Sequence, residues 1–287
     1  MKFSVSSYSY LRYMLNTGAD YHWICDHAKS LGYDGIEFTG LEDRFNANRG
    51  ESQEEIAVRV REYCKEIGLE ICGYMVGLDI LVHKDNAVKR ICHDIDVAAI
   101  LGCPLVRFDV CYALPRDKHP YSYRDAIEEL VPYIRQIADY AESKGIRVCT
   151  ENHGRVFQAP EVMEALMLAV NHKNYGWLCD VGNFMCVDAN PILAVKTALP
   201  YTFHVHFKDF LFKSGAQIKP MKFATTSGGN FILGTIIGHG AVPVENCATM
   251  IKNYGYDGFV TVEFEGLEDN LVAIEAGLDF LKTHFPR

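Results

Sequence analysis

The sequence contains no Cys-X-X-Cys pair, no apolar run near the roughly 18 residues needed to span a membrane, and no signal-peptide segment at its start. Its ten cysteines include Cys72 and Cys149 within apolar stretches, where a free thiol behaves as a small buried hydrophobe. A chain of 287 residues also has enough core to fold without disulfide crosslinks. These absences predict a cytoplasmic protein with reduced cysteines and no membrane contact.

Basic side chains are outnumbered by acidic ones, with 28 lysines and arginines against 37 aspartates and glutamates, for a net charge of −9. An acidic surface repels the phosphate backbone, so the charge argues against a non-specific nucleic-acid binder. Apolar residues make up 49% and charged residues 23%, as in ordinary globular enzymes, which excludes disorder, collagen and coiled coils.

Short strand patterns alternate with amphipathic helix patterns along the whole chain. The predicted strands are 3–8, 35–38, 69–76, 104–109, 146–150, 175–179, 202–207 and 259–264. The predicted helices are one that ends near 29–32, then 52–67, 87–101, 122–143, 160–170, 191–199, 244–254 and 271–284. Eight strand–helix units of about 30 residues predict an α/β fold, a closed (β/α)8 TIM barrel that forms a single domain over 1–287. An open doubly wound sheet is the alternative, but residues 6–10 lack its glycine-rich phosphate turn.

A stretch with several glycines, serines and lysines, about 213–240, interrupts this rhythm after the seventh strand. We expect a long loop there, with hinges at Gly215, Gly228 and Gly229, on the face of the barrel where the strands end. Two roles fit such a loop: a lid that excludes water from the site, or a contact in a homo-oligomer.

Polar side chains stand at the ends of the last four predicted strands, in the order Glu151, Asp180, His206 and Glu263. Consecutive strands are neighbours in a barrel, and the catalytic groups of such barrels gather at the carboxyl ends of the strands. Three carboxylates with one imidazole suit Mn²⁺, Mg²⁺, Co²⁺ or Zn²⁺, and without a cation the carboxylates would repel one another. The alternative is that each residue serves a local helix cap or salt bridge.

Four short motifs resemble those of the xylose isomerase-like TIM-barrel superfamily, and within it the sugar phosphate isomerase/epimerase family. They are Glu-Asn-His at 151–153, Asp-Val-Gly-Asn at 180–183, His-Val-His-Phe-Lys-Asp at 204–209 and Val-Glu-Phe-Glu-Gly at 262–266. The resemblance extends over nearly the whole chain. It implies one divalent metal, Mn²⁺ before Mg²⁺, Co²⁺ or Zn²⁺, held by Glu151, Asp180, His206 and Glu263. It also implies that Glu151 and Glu263 act as acid and base on a keto sugar or related polyol.

This set of residues predicts proton transfer at the carbon beside a carbonyl group. A metal stabilises the negative charge of the enediolate, while one glutamate removes the proton and another returns it. Return to the same carbon from the opposite face gives epimerisation, return to the neighbouring carbon gives isomerisation, and loss of a group from the next carbon gives elimination. The expected function is a sugar isomerase or epimerase, with a lyase or dehydratase of keto sugars or cyclic polyols as the alternative.

Substrate contacts are expected two residues beyond the ligands, where side chains point the same way and lie closer to the mouth of the barrel. This places His153, Lys208 and Glu265 in the site, although Lys208 could instead form a surface salt bridge with Asp209. Tyr8, Tyr10 and Trp23, near the first strand, are candidates for stacking on a sugar ring.

Three further predicted substrate contacts are Glu37, Arg107 and Asn183. Glu37 and Arg107 follow from their places at the ends of the second and fourth strands, and a structural ion pair in the barrel rim is the alternative for each. Asn183 stands where the ketose 3-epimerases have a histidine that helps to hold the substrate. We expect His204, two residues below His206, to fill a layer inside the barrel.

Two other functions remain as alternatives. The superfamily includes endonuclease IV-type DNA repair enzymes, but their three metals require extra histidines that are lacking at 73–75, at 107–109 and at Asn183. A non-catalytic relative that only binds a ligand is the second. The expected partner is a small carbohydrate, without nucleic acid or membrane.

Overall fold

Eight parallel strands close into a barrel in the computed structural model, which describes residues 1–286. The strands are β1 Lys2–Ser6, β2 Gly35–Thr39, β3 Glu70–Val76, β4 Leu105–Phe108, β5 Arg147–Glu151, β6 Tyr175–Asp180, β7 Thr202–Phe207 and β11 Phe259–Val262. Each pairs with its neighbour in sequence order, and β1 pairs with β11 to complete the cylinder. The prediction of a (β/α)8 barrel is confirmed.

Helices surround the barrel and bury their apolar faces against it. They are α1 Leu11–Thr17, α2 Tyr21–Leu31, α3 Gln53–Ile67, α4 Ile80–His83, α5 Asp85–Leu101, α6 Tyr123–Ser143, α7 Pro160–Val170, α8 Pro191–Ala198, α9 Val244–Tyr254 and α10 Asn270–His284. Capping residues define several helix ends. At the start of α3 the Ser52 side chain accepts a hydrogen bond from Glu55 N, and the Glu55 side chain accepts one from Ser52 N. Within residues 1–286, none of these helices is long and apolar enough to cross a membrane.

The first helical unit differs from the prediction of one helix. α1 ends at Gly18, whose φ of 76° is in the left-handed region, and α2 begins after Asp20, whose side chain accepts from Trp23 N. Residues 7 and 8 of the predicted first strand instead belong to a 3₁₀ turn over Ser7–Tyr10, because the Ser6 side chain accepts a hydrogen bond from Tyr8 N. The chain therefore bends away from the barrel directly after β1 and places Tyr8 at the rim.

The prediction of an irregular loop over 213–240 is wrong in part. β8 Asp209–Lys213, β9 Ala224–Thr225 and β10 Phe231–Thr235 form a small antiparallel sheet in the order β8-β10-β9. The turn between β9 and β10 is fixed to Asp188, which accepts from Gly228 N at 2.5 Å and from the Asn230 side chain at 2.7 Å. Gly228 is thus an anchor of the rim, which does not fit the expected hinge.

Candidate active site

The carboxyl ends of four adjacent strands bring Glu151, Asp180, His206 and Glu263 together. Each offers one ligand atom, and these atoms all lie within 4.8 Å of one another. Asp180 and His206 are direct partners in the β6–β7 register, and Glu263 N donates to Phe207 O at 3.0 Å, which sets the height of Glu263. All four are buried or nearly so. The residues predicted from the strand ends therefore form one cluster.

The donor atoms of this cluster fit a divalent cation. His206 Nε2 lies 3.1 Å from a Glu37 oxygen, so it serves as the donor and leaves Nδ1 facing the cluster. Asp180 Oδ1 accepts from Gly182 N and Asn183 N, which leaves Oδ2. Asp180 Oδ2 and His206 Nδ1 are buried without a hydrogen-bond partner. Buried polar atoms are normally paired, so two such atoms facing a group of carboxylates fit the donor set of a divalent cation.

Glu151 is held from two sides. Arg107 Nη2 lies 2.5 Å from its Oε2, and Asn183 Nδ2 donates to its Oε1 at 2.7 Å. Arg107 lines the cavity as predicted, but it also forms the structural ion pair that was its alternative. Asn183 is almost completely buried and positions Glu151 rather than lining the cavity, so the structure does not support its predicted role as a substrate contact.

Lys208 places an ammonium group among the carboxylates. Its Nζ lies 2.5 Å from Glu263 Oε2, 3.4 Å from Asp180 Oδ2 and 3.6 Å from Glu265 Oε2. Burial alone would lower the pKa of Lys208, but the charges of Glu263 and its neighbours outweigh this effect and raise it well above its usual value. Gly182 permits the close approach, because a Cβ there would lie 2.6 Å from Lys208 Cγ. The alternative of a surface pair with Asp209 is wrong.

Asp209 has a different role. Its carboxylate accepts from four backbone amides, Phe210 N, Gly238 N, Gly240 N and Val242 N, at 2.8 to 3.0 Å. These bonds close the segment that leads from β10 to α9. Asp209 is therefore a structural group of the rim.

Glu37 lies beneath the cluster and is completely buried. Its carboxylate accepts from Nε2 of both His204, at 3.0 Å, and His206, at 3.1 Å. Burial would raise the pKa of Glu37, but the charge of His206 and the bonds from both histidines lower it to about 2. The predicted substrate contact is corrected, because Glu37 cannot be reached from the cavity and instead orients His206.

A cavity of about 240 Å³ opens above the cluster. Its lining residues are Tyr8, Thr39, Met75, Arg107, Glu151, His153, His206, Lys208, Glu263 and Glu265. The predicted contacts Arg107, His153, Lys208 and Glu265 are therefore at the surface of this cavity. Of the aromatic candidates only Tyr8 lines it, because Tyr10 is buried against His27 and Trp23 stacks on the same ring.

His153 and Asp109 form a pair on one wall of this cavity. His153 Nδ1 lies 3.1 Å from Asp109 Oδ1, and Arg107 and Tyr112 donate to the other oxygen of Asp109. Burial would lower the pKa of His153, but the hydrogen bond to Asp109 raises it. Sequence reasoning missed this role of Asp109, although its place after the fourth strand was the available signal.

These features define a (β/α)8 barrel with a carboxylate-rich centre at the carboxyl ends of its strands. A profile of the xylose isomerase-like TIM barrel family matches residues 25–284. The chain belongs to this family.

Curated relatives match about half of the chain. An inosose dehydratase of Serratia proteamaculans is 26% identical over 153 residues, which are 52% of this chain and 51% of the relative. An inosose dehydratase of Bacillus anthracis is 24% identical over 139 residues, 48% of this chain and 47% of the relative. The chain thus spans about half the length of the curated relatives it matches.

Solved structures with the same fold align over essentially the whole chain. The IOLI protein with a bound zinc atom has a TM-score of 0.76 at 18% identity, with 100% of both chains covered. The probable 3-DHS dehydratase AsbF of Bacillus anthracis has a TM-score of 0.75 at 19% identity, covering 98% of this chain and 99% of its own. A D-psicose 3-epimerase solved in the presence of D-fructose has a TM-score of 0.72 at 16% identity, with 100% of both covered.

Proposed function

We propose that this protein is a divalent-metal-dependent enzyme that moves a proton beside the carbonyl group of a keto sugar or related polyol, as an isomerase or epimerase. The observation that carries the proposal is the buried cluster of Glu151, Asp180, His206 and Glu263 at the floor of an open cavity. The zinc atom in the structurally similar IOLI protein supports the same kind of centre.

The cluster would hold the cation through three carboxylates and His206 Nδ1, and we expect Mn²⁺ to bind, with Mg²⁺, Co²⁺ and Zn²⁺ as alternatives. When bound, such an ion polarises a carbonyl group and stabilises negative charge that develops on its oxygen. Sugar hydroxyls also need polar partners, and the lining supplies them from Arg107, His153 and Lys208.

Glu151 and Glu263 are the proposed acid and base. Glu151 ends β5 and Glu263 follows β11, and β6 and β7 lie between these two strands in the barrel. The two carboxylates therefore reach the cavity from opposite ends of a row of four neighbouring strands. Arg107 and Asn183 hold Glu151, and Lys208 holds Glu263, which fixes each carboxylate for proton transfer. With one glutamate at each end of the arc, a proton taken on one side can be returned on the other.

Elimination is the second candidate function. The curated relatives are inosose dehydratases, and His153 stands in the lining with its pKa raised beside Asp109. A protonated imidazole at that place can donate to a departing hydroxyl group, while a glutamate removes the proton from the adjacent carbon.

Incubation with keto sugars and inososes in deuterated water tests the proposal and separates the two reactions. An epimerase or isomerase incorporates deuterium into a product of substrate composition, whereas a dehydratase yields an unsaturated product that has lost water. Glu151→Gln and Glu263→Gln should each lower the rate at least a hundredfold, and the exposed Glu245→Gln, on α9, should not change it. A preparation that binds no divalent metal and exchanges no deuterium with any of these substrates would contradict the proposal.

A further inference from the structure

Two buried thiols face each other between α2 and α3. Cys25 Sγ lies 3.5 Å from Cys64 Sγ, and both residues are free cysteines, 0% and 1% exposed. Cys72, Cys103 and Cys111 are also buried, but their thiols donate to backbone carbonyl groups. The pair between α2 and α3 therefore places each sulfur beside a partner with which it can form a bond.

Contacts beside the pair hold the two helices together at this point. Asp26 accepts a hydrogen bond from Tyr63 Oη at 2.6 Å, and these two residues are the sequence neighbours of the two cysteines. The ring of His22, one turn earlier in α2, stacks on Tyr63 with ring centroids 4.1 Å apart. A disulfide has its sulfurs about 2 Å apart, so bond formation requires a further approach of about 1.5 Å.

Cys64 is the member of the pair that solvent can approach. It lines a cleft of about 470 Å³ near the first residues of β3 and β11, together with Arg61 and Lys65 of the same helix. Cys25 does not line this cleft and is completely buried. Since Cys64 itself is almost completely buried, an oxidant that reaches its sulfur must be small, and hydrogen peroxide is of that class.

The two thiols are not equivalent. The hydrogen bond to Cys64, together with burial, raises the pKa of Cys25 well above its usual value, so Cys25 keeps its proton and is the donor. The thiolate is the reactive form of a cysteine, and cationic groups such as those of Arg61 and Lys65 promote its attack. Cys64 is therefore the sulfur that reacts first, and Cys25 is the one that resolves the product.

We infer that Cys64 and Cys25 form a modification site, at which hydrogen peroxide produces a disulfide that joins α2 to α3 and stabilises the fold. The site lies at the opposite end of the barrel from the proposed metal centre, so the inference does not depend on the proposed function.

The reaction has two steps. The Cys64 sulfur attacks one peroxide oxygen, the O–O bond breaks, and a sulfenic acid forms while the thiol proton leaves in one water. The Cys25 sulfur then attacks the Cys64 sulfur, the S–O bond breaks, and the S–S bond forms while the Cys25 proton leaves in a second water. In total the two thiols lose two electrons and two protons, and the peroxide is reduced to two waters.

The test treats the purified protein with hydrogen peroxide, alkylates the remaining thiols and maps its peptides by mass spectrometry without reduction. We expect the peptide with Cys25 to be joined to the peptide with Cys64, with the loss of two hydrogen atoms. Two of the ten thiols should also become unreactive toward the alkylating reagent. Oxidation of other cysteines while this pair stays reduced, or no oxidation at all, would overturn the inference.

Two variants separate the steps. In Cys25→Ser, the sulfenic-acid reagent dimedone should label Cys64, because the resolving thiol is gone, and in Cys64→Ser neither label nor crosslink should form. Cys103→Ser is the matched control: Cys103 is buried between two residues that line the same cleft, but its thiol donates to Leu105 O, so the crosslink should form as in the parent protein. A dimedone label on Cys25 in Cys64→Ser would contradict the assigned order of attack. If a variant does not fold, the peptide map of the parent protein decides alone.

Thermal unfolding measures the stabilisation. The disulfide joins residues 39 positions apart and thereby restricts the unfolded chain. The oxidised protein should unfold about 5 °C above the same sample after reduction with dithiothreitol. A crosslinked protein with no rise in Tm would show that the stabilising effect is absent and would overturn that part of the inference.

Discussion

Asn183 Nδ2 donates a hydrogen bond to Glu151 Oε1 across 2.7 Å, at the point where β5 and β6 end side by side. Lys208 Nζ donates in turn to Asn183 Oδ1 at 3.4 Å. This buried amide therefore links the carboxylate proposed as acid or base to the ammonium that holds Glu263. Residues that orient metal ligands in this way contribute to metal affinity although they do not touch the ion.

We predict that Asn183→Ala lowers metal affinity or turnover by about 10- to 100-fold, because Glu151 loses one of its two supports. Metal titration and steady-state kinetics measure the two effects separately. Asn253→Ala, on the exposed face of α9, is the control and should change neither. Unchanged metal affinity and unchanged turnover in Asn183→Ala would show that Arg107 alone positions Glu151.

Removal of divalent ions should destabilise the protein. The cluster gathers three carboxylates in a buried place, and the ion binds the folded state only, so manganese at about 100 times its Kd should add about 2.7 kcal/mol to the free energy of unfolding. For a chain of this size that is a rise in Tm of about 5 °C. Thermal unfolding with chelator, and again after manganese is restored, measures it. A Glu263→Gln variant with the full manganese shift would argue against Glu263 as a ligand.

Asp209→Ala should cost about 3 kcal/mol in the free energy of unfolding, because four backbone amides lose their acceptor at once. Chemical denaturation gives this value directly. The exposed Asp117→Ala serves as the control and should remain within about 0.5 kcal/mol of the parent protein. A small loss in Asp209→Ala would mean that water replaces the carboxylate at these amides.

The stability of the protein should depend on Asp94 between about pH 4 and pH 6. Burial raises the pKa of this α5 carboxyl to about 6, and it is only 7% exposed. Folding therefore favours the protonated carboxyl. The resulting contribution to the free energy of unfolding is complete at pH values below the pKa of Asp94 in the unfolded chain. It is lost as the pH rises through the pKa of Asp94 in the folded protein. Asp94→Asn should match the parent protein at pH 4 and be more stable by about 2 kcal/mol at pH 7. Urea denaturation at both pH values measures this difference, and a constant difference would contradict it.

Much of the barrel could be predicted from the sequence, because the hydrophobic patterns and helix-end residues of each segment agree with the strand–helix alternation that a closed barrel needs. β7, α7 and α9 have the predicted bounds, and the start of α7 is marked by Pro160 in its first turn. The four residues proposed as metal ligands could be grouped from the sequence because they follow or end consecutive strands. Neighbouring strands turn that order along the chain into proximity in space.

The small sheet and the role of Glu37 could not be predicted, because both depend on partners far away in the sequence. β10 pairs with β8 across a segment whose glycines and lysines are typical of loops, and Asp188 secures its turn from another loop. Glu37 accepts from His204 and His206, more than 160 residues away. Residue types at a strand end do not show whether a carboxylate points up to the cavity or down into the barrel.

The position of Glu37 couples two properties that are usually studied apart. One buried carboxylate supports a layer of the barrel through His204 and sets the imidazole of the proposed ion centre through His206. A change at this residue alters the folding equilibrium and the affinity for the ion together. Homologues that no longer bind an ion are therefore expected to carry substitutions at Glu37 and His204 in the barrel interior as well as at the ion centre.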